Sequence, residues 1–255
     1  MLLRYTFLLV ASLAAQVSHA GNLPQTIVKI KPSVVAIATV QQTRSPPINL
    51  LGTGFVVADG AHIVTNAHLV PAVLDKEKRE VFAVISGQGE SAKIHEAETV
   101  IVDTAHDIAL VKISAKLPAL TLGTAPDVQE GEELAFTGFP LGGLVGIYPV
   151  THQGIVSAIT PIVLPARNAQ ALDVKAIRHL VSPFKVLQLH AVAYPGNSGS
   201  PVYSPESGVV YGIITSTLLK GVKENALSQP TAISYAIPAS FIRELLEKAK
   251  VKSPQ

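Results

Sequence analysis

The residues best placed to do chemistry lie in Pro195-Gly196-Asn197-Ser198-Gly199-Ser200-Pro201, a serine held in a glycine-flanked turn. Glycine lets the backbone there come close to another group. A serine hydroxyl becomes a useful nucleophile only when a neighbouring base takes its proton during attack. The N–H groups of Gly196 and Ser198 could then face the negative oxygen that forms on an attacked carbonyl. The same seven residues would also suit an ordinary surface turn, so this chemistry requires a base and an orienting acid from elsewhere in the chain.

All eight histidines precede Ser198, so the base must come first. The nucleophile–acid–histidine order of the α/β-hydrolases is therefore excluded. An acid–histidine–serine order is poorly served. Asp59 is the only aspartate before His68, and it sits in Ala58-Asp59-Gly60-Ala61, which has the composition of a tight hairpin turn. The order histidine–aspartate–serine fits well. His68 ends Ile63-Val64-Thr65-Asn66-Ala67-His68, a strand pattern running into a turn, and Asp107 stands where the loop Thr104–His106 enters the apolar run Ile108–Val111. The three residues are far apart in sequence, so the fold must assemble them.

Short strands are the elements expected to do so. Valine, isoleucine and threonine are frequent, and the apolar runs are brief and broken by glycine or proline. One set spans Ser33–Val40, Gly54–Ala58, His62–Thr65, Val81–Ile85, Ile94–Val102 and Ile108–Ile113. A second spans Glu133–Thr137, Val145–Ile159, Val186–Val192, Ser200–Tyr203, Val209–Thr215 and Ile233–Ile237. The spacing predicts an all-β barrel or sandwich. A linker rich in Pro, Gly and Thr, from about Lys116 to Gly131, divides the sets into two β units. A short helix is expected at Leu23–Ile30, and another at Ala171–Leu180 within the long segment Pro161–Lys185. A third is expected from Ala239 to about Lys250, where Phe241, Ile242, Leu245, Leu246 and Ala249 form an apolar stripe.

Composition narrows the function classes. Hydrophobic residues make up 48% of the 255 and charged residues 15%, which excludes disorder as the main state. A formal net charge of +2 provides no strong positive field, so no nucleic-acid partner is expected. The chain has no cysteine, which rules out disulfides, thiol nucleophiles and zinc–thiolate sites. No His-x-x-x-His motif or carboxylate cluster suggests a metal, and no cofactor is implied. At the N-terminus, Arg4, the apolar run Phe7–Ala15 and Ser18-His19-Ala20 have the pattern of a signal peptide cleaved before Gly21. The run is too short for a spanning helix, so no membrane anchor is expected after cleavage. An exported chain without disulfides suits a bacterial periplasm, although an extracellular location also fits.

Several segments together carry a resemblance. Gly52-Thr53-Gly54-Phe55, Thr65-Asn66-Ala67-His68, Asp107-Ile108-Ala109-Leu110 and Gly196-Asn197-Ser198-Gly199 resemble the trypsin-like serine peptidases, especially the bacterial Deg/HtrA branch. The likeness continues through Thr137-Gly138-Phe139-Pro140, Gly154-Ile155-Val156-Ser157-Ala158, Gly212-Ile213-Ile214-Thr215 and Ile233–Pro238. It implies two six-stranded antiparallel β-barrels, at about residues 33–115 and 131–238, in a peptidase domain of residues 21–255 that ends in the helix at about 239–250. It implies a polypeptide substrate, a catalytic triad of His68, Asp107 and Ser198, and an oxyanion hole formed by Gly196 and Ser198. Val192 would lie in the pocket for the residue before the cleaved bond, and Thr215, Ser216 and Thr217 along the substrate backbone.

Departures from the family pattern refine these expectations. Tryptic specificity needs an aspartate six residues before the serine. Val192 stands there, so cleavage after small or aliphatic residues is expected. Asn197 replaces the acidic residue that pairs with a new amino terminus in trypsin-like zymogens, so activation by that ion pair is not expected. Ser200 replaces the second glycine after the nucleophile, and His190 stands where the Deg/HtrA branch often has aspartate. No peptide-binding PDZ domain is expected after the C-terminal helix. Residues 161–185 would form a flap or contact surface beside the cleft, or a solvated excursion without function. Two other activities fit the same fold: a catalytically inactive binding module, and an esterase using the same triad.

Overall fold

The computed structural model describes residues 22–123, 128–140, 146–162, 183–215 and 232–252. The signal segment 1–20, the expected helix 171–180, Ser216 and Thr217 lie outside the described residues, as does most of the 161–185 insertion.

Helix α1 (Leu23–Ile30) leads into β1 (Val34–Val40), β2 (Ile48–Val57), β3 (His62–Thr65), β4 (Val81–Ser86), β5 (Lys93–Glu96), β6 (Glu98–Asp103) and β7 (Ile108–Lys112). These strands form one antiparallel sheet in the order β5-β4-β1-β2-β3-β7-β6. The single strand expected at Ile94–Val102 is two strands that break at Ala97. β5 pairs with β4 at one edge of the sheet and β6 with β7 at the other. Only one residue separates β5 from β6, so the two edges are consecutive pieces of chain and the sheet must curl round to bring them together.

The second unit is a closed six-stranded barrel. Its strands are β8 (Glu133–Gly138), β9 (Val150–Pro161), β10 (Lys185–His190), β11 (Pro201–Tyr203), β12 (Val210–Thr215) and β13 (Ile233–Pro238), followed by helix α2 (Ala239–Lys248). β9 begins at Val150, not at the expected Val145. The architecture is all-β and chymotrypsin-like, with one closed barrel, one curled sheet and, among the described residues, two short α-helices.

Burial explains why the central strands are apolar at every position. Along β1, Val35 and Ile37 point into the first unit, with Val56 and Ile63, while Val34, Ala36 and Ala38 join a shared core with Phe55, Ile108, Leu110, Phe139, Ile213, Ile237 and Ile242. β12 and β13 divide in the same way: Ile213 and Ile237 face the shared core, while Ile214 and Ala236 face the interior of the second barrel. A strand buried on both faces shows no apolar–polar alternation. α2 closes the seam by burying Ile242, Leu245 and Leu246. Its Arg243 also donates hydrogen bonds to the carbonyls of Gly123 (2.8 Å) and Leu122 in the linker.

Candidate active site

Strand register brings the expected base and acid together. β3 and β7 run antiparallel with Thr65 opposite Ala109, so the chain leaving β3 meets the chain entering β7 at one end of the sheet. His68 lies just beyond that end in a single 3-10 turn, Ala67–Leu69. The Asp107 carbonyl accepts the Ala67 N–H at 3.1 Å and the Asn66 side-chain amide at 2.9 Å. The Asp107 carboxylate faces His68 Nδ1 at 2.9 and 3.0 Å and accepts the His68 backbone N–H at 3.2 Å. An ionised carboxylate can only accept, so Nδ1 donates to it, and it is the neutral ring that then offers the Nε2 lone pair.

Asp107 adopts a left-handed backbone conformation, φ 55°. Aspartate tolerates that region better than most residues. A further bond comes from the second barrel, where Thr215 Oγ1 donates to Asp107 Oδ2 at 2.7 Å in a buried setting. The family resemblance had linked Thr215 to the substrate backbone. Its side chain reaches the carboxylate, a contact between residues distant in sequence that no local pattern signals.

Ser198 comes to the same seam from the other side. The Thr53 N–H on β2 donates to the Ser198 carbonyl at 2.8 Å, and Thr53 Oγ1 donates to the Gly196 carbonyl at 2.7 Å while accepting the Phe139 N–H at 2.9 Å. Thr53 therefore ties the serine turn to the first sheet. The glycines on either side of it in Gly52-Thr53-Gly54 were the only sequence hint. Gly52 passes between the two halves of the site. A Cβ at that position would come within 2.5 Å of Leu69, the neighbour of His68, and within 2.9 Å of the Ser198 carbonyl.

The turn itself is shaped by left-handed glycines, Gly196 at φ 98° and Gly199 at φ 89°. Gly199 also donates its N–H to the Ile214 carbonyl at 2.9 Å, and Ile214 donates to the Ser200 carbonyl at 2.9 Å, which locks the turn against β12. A Cβ at Gly199 would run into the Thr53 carbonyl. Gly199→Ala is therefore expected to destabilise the chain by about 2–6 kcal/mol, combining left-handed strain with overpacking. The check is a thermal melt alongside an activity assay, and the expected result is a lowered midpoint with activity lost.

Other expected residues lie around this turn. Val192 is half-buried in the segment between β10 and the serine turn. Asn197 is fully buried; its N–H donates to the Tyr194 carbonyl at 2.9 Å, and its side-chain amide has no hydrogen-bond partner among the described residues. The Ser200 hydroxyl is likewise buried without one. His152 on β9 stacks on Phe136, with ring centroids 4.9 Å apart, and lies 5.9 Å from Tyr194; burial pushes its pKa below the ordinary histidine value. His190 is exposed on β10. Asp59 binds His62 at 2.7 Å, at the opposite end of β3 from His68.

No group of three or more metal-ligating side chains is arranged to hold an ion among the described residues, and no helix among them is long and apolar enough to cross a membrane.

A model of the trypsin-like peptidase domain matches residues 52–213. The chain is 31% identical over 232 residues to a Bos taurus protein named serine protease HTR4, covering 88% of this chain and 40% of that one. It is 30% identical over 201 residues to the "Probable periplasmic serine endoprotease DegP-like" of Halomonas elongata, covering 78% of this chain and 35% of that one. It is 27% identical over 263 residues to the serine protease Do-like HtrB of Bacillus subtilis, covering 94% of this chain and 50% of that one. The chain thus spans half or less of the length of these relatives. With its domain match reaching from the glycines of β2 into β12, the chain belongs to the trypsin-like serine peptidase family, with HtrA- and Deg-type proteases among its relatives.

Proposed function

We propose that the chain is an exported serine endopeptidase that cleaves polypeptides through an acyl-enzyme formed on Ser198. The observation that carries this reading is the His68–Asp107 pair, held by bonds from the first sheet and from the second barrel beside the anchored serine turn.

Each side chain has a step. Ser198 Oγ attacks the scissile carbonyl carbon as its proton passes to His68 Nε2. Asp107, accepting the Nδ1 hydrogen, keeps the ring in the required tautomer and stabilises the imidazolium. The Gly196 and Ser198 N–H groups stabilise the oxyanion, each worth roughly 2.7–4 kcal/mol of transition-state energy. The tetrahedral intermediate then expels the amine, which takes the proton from His68. Water attacks the acyl-enzyme with the same assistance, releasing the carboxylic product and restoring the serine hydroxyl. Thr215, by donating to Asp107, spreads the negative charge that would otherwise fall on the histidine bond alone.

Val192 defines the expected substrate preference. A lysine or arginine placed against this isopropyl group would leave its charge unpaired, a penalty of about 3–5 kcal/mol. Substrates with Ala or Val before the cleaved bond should therefore exceed Lys or Arg substrates by roughly 10²–10⁴-fold in kcat/KM. A peptide library differing only at that residue tests this, and equal or better cleavage after Lys or Arg would refute it. Ser216 and Thr217 extend the proposed substrate-backbone strand beyond Thr215.

Residues 1–20 are proposed to be removed on export, which would put the domain in a periplasm or outside the cell, the periplasm being favoured. Labelling the mature protein with a fluorophosphonate, alongside a casein-degradation assay, tests the central claim. Labelling with degradation is expected. Labelling without degradation would point to an esterase, and no labelling to a binding module of the same fold.

A further inference from the structure

We propose that His106 is a positioning residue for Asp107, acting from a clamp between the β6–β7 turn and helix α2. The proposal rests on the reading of His68, Asp107 and Ser198 as a working triad. In the sequence His106 is merely a loop residue beside an aspartate. In the fold, its ring is held on three sides.

His106 Nδ1 meets Asp103 Oδ2 at 2.8 Å. The ring stacks on Phe241 of α2, with centroids 4.0 Å apart and planes at 21°, and meets Phe184 edge-on at 4.8 Å. Phe184 and Phe241 also touch edge to face at 5.0 Å, so the three rings form one cluster drawn from three distant segments. Asp103 fixes the other side of the turn, accepting the Ala105 N–H at 3.0 Å and the His106 N–H at 3.1 Å on Oδ1. Burial works to raise the Asp103 pKa, but the bonds from the His106 ring and from the two backbone N–H groups outweigh it and hold the carboxyl below its ordinary value.

The next residue after the clamped ring is Asp107, in its left-handed conformation. A non-glycine residue keeps such a conformation only when its surroundings impose it. The carboxylate must meet His68 on the first sheet and Thr215 on the second barrel at once. α2 packs against β12, which carries Thr215, and against β7, which follows Asp107. Stacking His106 on Phe241 therefore registers the Asp107 turn against the element from which Thr215 donates. Without the ring, the turn keeps its backbone bonds but loses this tie to the second barrel.

The test compares His106→Ala, Phe241→Ala and a control on the exposed face of the same helix, Lys248→Ala, in the mature chain. Two readouts are used: steady-state kinetics on a peptide substrate, and the proton NMR resonance of the His68 Nδ1 hydrogen, which reports the His68–Asp107 bond without turnover. The expected result is a kcat lowered about 10–100-fold in both clamp variants with KM changed by less than about twofold. The His68 resonance should move or broaden in both and stay unchanged in Lys248→Ala. His106→Phe keeps a stacking ring and guards against misfolding; it should recover most of the kcat lost in His106→Ala. Unchanged kcat and an unmoved resonance in folded His106→Ala and His106→Phe would overturn the proposal while leaving the triad intact. A wild-type chain whose Ser198 neither labels nor turns over would overturn the underlying reading instead, and the His68 resonance would still report whether the clamp positions Asp107.

Discussion

Ser198→Ala is expected to lower turnover by roughly six orders of magnitude while leaving the fold and substrate affinity nearly unchanged. The substitution removes one oxygen from a turn whose conformation is imposed by its neighbours. Thr53 holds the backbone at Gly196 and Ser198, and Ile214 holds it at Gly199 and Ser200. None of these bonds uses the serine hydroxyl. What remains can still bind a peptide and offer N–H groups to a carbonyl oxygen, so residual hydrolysis would have to come from water attacking directly. The measurement is kcat on a peptide substrate with thermal melting as the control. Near-native turnover in a folded Ser198→Ala chain would mean that another group performs the attack.

Asp107→Asn should cost about 10⁴-fold in kcat, with KM little affected. An amide is nearly the same size as the carboxylate and can fill the same buried space. Three donors meet the carboxylate, the His68 backbone N–H on Oδ1, the Thr215 hydroxyl on Oδ2 and Nδ1 against both oxygens, whereas the amide replaces one of those oxygens with an NH₂ that can only donate. If the amide oxygen stays with Thr215, its NH₂ faces Nδ1 and forces the ring hydrogen onto Nε2, where it blocks the proton transfer from Ser198. If the amide turns over, the Thr215 bond is lost instead. The neutral side chain also offers nothing to the imidazolium that forms during attack. Single-turnover kinetics with a chromogenic substrate would locate the loss in acylation. A reduction of less than about tenfold would show that Asp107 does not orient the base.

The chain itself determined the order of the chemistry and the class of fold. All histidines precede Ser198, which left one triad order well served. Short apolar runs broken by glycine and proline required strands. α1 falls on the expected residues Leu23–Ile30, and α2 begins at the expected Ala239. These features are local: they depend on periodicity, turn chemistry and chain order, which a linear reading contains.

What the tertiary structure decided is non-local. The break at Ala97 turns one apolar run into the two edges of a curled sheet, where each piece pairs with a different strand. The Thr215 hydroxyl finds Asp107 across more than a hundred residues of chain. Thr53 joins the serine turn to the first sheet, and His106 stacks on a helix that begins far downstream. A side chain's partner is set by where its strand ends in space, and strand ends meet through register and packing between units. Composition and spacing carry no record of those distances, so the candidate reacting groups could be named from the chain, whereas the contacts around them depended on the fold.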